Sequence, residues 1–235
     1  MITVDFNRLT VTPGFRILDI GCGNGRHTSA AYDLKNVAVI GADLNLKDLY
    51  IAAKRLKWHE SMMDHGEGSW NLMAADILAL PFYDHGFDLV ICSEVLEHVP
   101  DHQAAVKEIL RVLKPGCNLV VSVPRCWPEK ICWALSTQYC HTKGGHIRIY
   151  TFKELEKMIR TEGASKWGSH FAHALHTPFW WLKCLVGPDR QNVALVNLYH
   201  RFLTWDLMQK PAFTRLLEKL LNPLMGKSLV VYFKK

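Results

Sequence analysis

Ile17-Leu18-Asp19-Ile20-Gly21-Cys22-Gly23-Asn24-Gly25 decides how this chain is read. An apolar run with one acid near its end enters a cluster of three glycines, and the helix-compatible stretch Arg26–Leu34 follows. A buried strand, a tight turn and a helix in that order let the backbone come close to a nucleotide-like ligand, because glycine has no side chain in the way. A glycine-rich turn alone is weak evidence, since dinucleotide enzymes have one too. Here the acid precedes the glycines, and the spacing is G-x-G-x-G rather than G-x-G-x-x-G, which disfavours a nicotinamide dehydrogenase.

Working outward, strand-like and helix-like segments alternate through the first 125 residues. Apolar runs at Val37–Gly41, Trp70–Ala75, Phe87–Cys92 and Asn118–Val123 predict strands. Leu46–His59 and Asp101–Leu113 predict helices, the second stopped by Lys114-Pro115-Gly116, while Met62–Ser69 reads as a loop. Thr151–Gly163 predicts a further helix, with Thr151 and Glu154 as a capping box. This alternation implies a doubly wound α/β fold, a mostly parallel sheet with helices on both faces. No linker separates a second domain, so residues 1–235 read as one domain, with substrate-side insertions or a lid at 125–150 and 177–226. Asp43 ends the second strand, where a carboxylate can accept both ribose hydroxyls of an adenosine ligand. Asp76 follows the third, within reach of an adenine amino group. With Asp19, three acids stand at strand ends of one sheet, where such folds bind ligands.

LDIGCGNG, GADL, ADILALPFYDHGFDLVICSEVLEHVPD and ILRVLKPGCNLVVSVP together resemble the successive motifs of class I S-adenosylmethionine-dependent methyltransferases. The closest group is the one containing the ubiquinone and menaquinone biosynthesis methyltransferases, and the likeness covers roughly residues 14–163. It implies a seven-stranded sheet whose last strand, Ser228–Phe233, is antiparallel, and S-adenosylmethionine as cofactor. It implies that Asp19 and the turn Gly21, Cys22, Gly23, Asn24 and Gly25 face the methionine part. Asp43 and Leu44 would face the ribose, Asp76 and Ile77 the adenine, and Ser93 would lie beside the ligand. The resemblance identifies the cofactor and leaves the acceptor open.

If Glu94-Val95-Leu96-Glu97-His98 is helical, Glu94, Glu97 and His98 share one face, a candidate divalent-metal triad. His98 as a metal-free general base is the other reading, since an imidazole titrates near neutrality. His141 and His146 are alternate bases near the cofactor mouth. Arg148 is a candidate for an anionic substrate group, and Tyr150 either joins it or braces the helix at Thr151. His170, His173 and His176 alternate faces if the segment is a strand, so they cannot all converge, and surface or core polar roles are expected.

Bulk properties limit the rest. The composition, 49% hydrophobic and 21% charged, is that of a globular protein. The chain shows no signal-like N-terminus and no apolar run of about 18 residues. Seven cysteines, an odd number, suggest reduced thiols and a cytoplasmic protein. The net charge of +6 is unevenly placed: residues 151–235 carry 13 Lys and Arg against 6 Asp and Glu, whereas residues 1–150 carry 15 against 16. Aromatic and basic residues mix over 177–226, as in Phe179-Trp180-Trp181-Leu182-Lys183. They suit either an anionic membrane surface or a lid over the sheet edge. The expected function is methyl transfer to a small or lipid-like acceptor, isoprenoid or quinone-type, by O- or C-methylation. An RNA methyltransferase, or a cofactor-binding partner subunit without turnover, are the alternatives.

Overall fold

Ile17 and Leu18 are adjacent in sequence and both fully buried, which a strand achieves only when both faces of its sheet are covered. The computed structural model, which describes residues 1–62, 65–142, 144–190 and 192–235, has that arrangement. Seven strands form one sheet: β1 (Arg16–Ile20), β2 (Ala38–Asp43), β3 (Ser69–Ala74), β4 (Phe87–Ser93), β5 (Leu113–Pro124), β6 (Ser165–Ala172) and β7 (Ser228–Lys234). Their order is β3-β2-β1-β4-β5-β7-β6. Strands β1 to β5 pair in parallel, and β7 lies antiparallel between β5 and β6. The chain first steps outward from β1 to β2 and β3, then returns to place β4 on the other side of β1. Diverging connections there leave a crevice at the carboxyl ends of β1 and β4.

Helices α1 (Arg26–Tyr32), α2 (Leu46–Met62), α3 (His102–Val112) and α6 (Phe152–Thr161) connect the strands. The helix α3 starts where the Asp101 carboxylate accepts from the Ala104 amide at 3.0 Å, and it buries Ala105, Val106, Ile109 and Leu110. Each large side chain so buried contributes roughly 1.5–3 kcal/mol. The capping box expected at Thr151 and Glu154 is formed. The loop expected over Met62–Ser69 falls partly on residues 63 and 64, outside the described residues.

Both insertions are helical. The first holds α4 (Cys126–Leu135) and α5 (Thr137–Cys140), and the second α7 (His176–Val186), α8 (Ala194–Gln209) and α9 (Ala212–Met225). Leu175, Phe179, Val196 and Leu203 give α7 and α8 a small core of their own, distinct from the two clusters on the faces of the sheet. All seven cysteines are free. Among the described residues no helix is long and apolar enough to cross a membrane.

Candidate active site

Positive φ at Gly21 (64°) and Gly23 (51°) folds the chain sharply after β1. At Gly21 a Cβ would stand 2.3 Å from Val95 Cγ2, so a side chain there would collide with the turn after β4. Asp43, at the end of β2, pins this turn: its Oδ2 accepts from the Gly23 amide at 2.8 Å and its Oδ1 from Asn45 at 2.8 Å. A carboxylate has about four acceptor positions, so capacity remains for ribose hydroxyls. Asp76 Oδ1 accepts from Leu78 at 2.9 Å. Between these groups lies a cleft of about 500 Å³ lined by Gly21, Gly23, Asp43, Leu44, Asp76, Ile77, Glu94, His98 and others.

Other residues expected to face the cofactor lie behind this lining. Asp19 is buried under the turn, where Thr28 donates to it at 2.6 Å. Burial pushes its carboxyl up to about 7, with the Thr28 bonds opposing and Asp43 adding. The Cys22 side chain is buried, Gly25 serves as the N-cap of α1 with φ 75°, and Asn24 does not line the cleft. Ser93 bonds to Thr3 at 2.8 Å and Ser122 at 2.7 Å instead of facing the cleft. Asp19 points away because it precedes the cleft-lining Ile20 in β1, and successive residues of a strand point to opposite sides.

The expected Glu94–Glu97–His98 triad does not form as a helix face. Residues 94–98 make an irregular turn, Glu94 has φ 57°, and its carboxylate accepts from Ser122 at 3.1 Å. A different group converges: one ligating atom each of Glu97, His98 and His146 lie within 4.8 Å of one another. His98 donates through Nδ1 to the Gly145 carbonyl at 3.0 Å, and His146 through Nδ1 to Glu129 at 2.6 Å. A carbonyl and a carboxylate can only accept here, so in its neutral form each ring presents Nε2 as a lone pair. Burial lowers the His98 pKa, partly offset by the Gly145 bond. Glu97 is fully buried, and neither carboxylate oxygen has a partner among the described residues. Burial, with Glu94 adding, pushes its pKa well above the usual range. Burial also opposes ionisation of Glu129, yet the His146 bond outweighs it and holds that carboxyl low. Sequence reasoning missed Glu129, which α4 brings to His146 from 17 positions away.

His141 is exposed and its Nδ1 faces the Thr137 carbonyl of its own helix. Arg148 is not a substrate anchor, since its guanidinium donates to the carbonyls of Leu96, Val99 and Pro100. Tyr150 braces the same turn through Leu96 and His102. Of the spaced histidines, His170 turns to the Thr3 carbonyl at 3.1 Å. The three do not all converge, as expected, but His173 and His176 meet because β6 ends at Ala172 and His173 takes φ 66°.

Residues 18–121 match the family model described as a methyltransferase domain. Over 116 residues the chain is 32% identical to an O-methyltransferase of Pyrenophora dematioidea, covering 49% of this chain and 42% of that protein. Over 144 residues it is 32% identical to cycloartenol-C-24-methyltransferase 1 of Oryza sativa subsp. japonica, covering 60% and 37%. The match thus spans less than half the length of these relatives. The YcgJ protein of Bacillus subtilis shares the fold, with a TM-score of 0.63 at 17% identity over 98% of this chain and 95% of that one.

Proposed function

We propose that the chain transfers the methyl group of S-adenosylmethionine to a hydroxyl or ring carbon of a lipid-like acceptor, in the manner of its quinone-pathway likeness. The observation that carries this reading is a cleft bordered by Asp43 and Asp76 whose wall includes His98, with His146 beside it at a ring separation of 5.0 Å. The adenosine moiety takes the Asp43–Asp76 end, and the methyl group lies toward the histidines. The sulfonium polarises the methyl, and the protein holds donor and acceptor in near-attack geometry. The Nε2 atom of His146 or His98 takes the acceptor proton, while Glu129 keeps the His146 ring oriented.

A metal-assisted variant of this reading is favoured by Glu97. Two unpartnered oxygens in a fully buried carboxylate, facing two imidazole lone pairs, suit a divalent cation. Glu97, His98 and His146 would hold it, and when bound it would lower the pKa of an acceptor hydroxyl.

A lipid-like acceptor is supported by the surface of α8 and α9. Leu198, Trp205, Met208, Phe213, Leu220 and Leu224 are exposed there. The acids of the two helices, Asp206 and Glu218, are buried against Arg215, so the exposed charges are Arg201, Lys210, Arg215 and Lys219. An apolar face with only cationic rims suits the anionic headgroup level. Labelled S-adenosylmethionine incubated with the chain and separated lipid, RNA and small-molecule fractions tests the proposal, with label expected in lipid. Label in RNA alone would replace it, as would tight cofactor binding with no transfer. Sedimentation with anionic liposomes should fall on charge reversal at Lys183 and Arg201.

A further inference from the structure

The junction between β6 and α7 places two imidazoles opposite a carboxylate of α9. His173 sits in the turn after β6, His176 opens α7, and Glu218 lies on the buried side of α9. One ligating atom of each lies within 4.8 Å of the others. Yet no hydrogen bond joins them: the nearest approach of His173 Nδ1 to Glu218 Oε1 is 3.8 Å. His173 Nε2 and His176 Nδ1 are buried with no partner among the described residues. Glu218 divides its two oxygens, because Oε2 accepts from Arg215 Nη1 at 3.1 Å and Oε1 is left for the histidines. Arg215 is in turn held by the buried Asp206.

Buried polar groups that gather without bonding to each other leave a desolvation cost uncompensated. A small cation between them removes that cost. Two histidines and one glutamate form a donor set suited to zinc, with a fourth position for water, and metal–ligand bonds are about 2.0–2.2 Å. Atoms sharing an ion at those bond lengths stand no more than about 4.4 Å apart. The His173–Glu218 pair already satisfies that limit, and side-chain rotations of a fraction of an ångström bring in the third. The Arg215 bond to Glu218 is the kind of outer contact that orients a ligating carboxylate.

We propose that His173, His176 and Glu218 bind a divalent transition-metal ion of the zinc class, which ties α9 to the β6–α7 junction. The ion would fix α9 onto the end of β6. This does not rest on methyl transfer, and its test reads metal binding alone.

The full chain, reduced and stripped with chelator, is titrated with Zn²⁺ while bound metal and thermal unfolding are followed. A His98→Ala/His146→Ala chain removes the other His–Glu group, so zinc retained by it belongs elsewhere. Expected are about one bound zinc in that background and a rise in Tm. Glu218→Gln and His173→Asn should each weaken the affinity by about tenfold or more, and asparagine tolerates the left-handed backbone at 173. If the double variant does not fold, the same two substitutions are compared in the unaltered chain, where each should remove one of the bound ions. Co²⁺ substitution should give weak visible d–d bands without a strong thiolate charge-transfer band. No zinc beyond that lost with His98 and His146, affinity unchanged in both variants, or a thiolate band would each overturn the proposal.

Discussion

Replacing Asp19 by asparagine should change the stability of the chain in a pH-dependent way whose size follows from its burial. The carboxyl is raised from 3.8 to about 7, chiefly because it is buried. Between those values the folded state holds a proton that the unfolded state has released, so stability falls as pH rises through the window. Below pH 3.8 both states are protonated and the effect is absent; above about 7 it is fully developed. At ~1.4 kcal/mol per pH unit the full effect is about 4 kcal/mol. Asparagine is nearly isosteric and can still accept from Thr28, but it leaves an amide to be satisfied, at a roughly pH-independent cost of about 1–3 kcal/mol. That cost cancels when the difference between variant and parent is followed against pH. Urea unfolding of both chains from pH 4 to pH 8, without cofactor, should show the variant gaining about 4 kcal/mol relative to the parent. A difference that stays level across this range would refute the assignment of a protonated, desolvated Asp19.

Asp43→Ala should weaken S-adenosylmethionine binding by about 1–3 kcal/mol, read by calorimetry, because the cleft loses both an acceptor and the bond that pins Gly23. Gly21→Ala should cost about 1–3 kcal/mol in urea unfolding and abolish cofactor binding, since the new methyl meets Val95. Glu129→Gln should lower kcat at least about tenfold with little change in KM, because His146 loses the carboxylate that orients its ring; an unaltered kcat would exclude His146 as the base. Thr151→Ala removes the cap of α6 and should cost about 1 kcal/mol with activity unaffected.

The sheet, the glycine turn after β1 and the helix caps are legible in the order of residues alone. Runs such as Leu89-Val90-Ile91-Cys92 can be satisfied only between two helical layers, and the Gly21–Gly25 turn permits a backbone path that other residues resist. Which side of each strand end faces the cleft was less legible. Asp19 and Ser93 stand at the right positions along the chain, yet their side chains point behind the cleft, as the register of neighbouring strands dictates. The grouping of the histidines and glutamates belongs to tertiary structure alone. His98, Glu129 and His146 come from three separate segments, and His173 meets Glu218 across 45 positions. Periodicity reports only neighbours one turn or one pleat apart, whereas these groups are brought together by the way the inserted helices pack over the sheet's end.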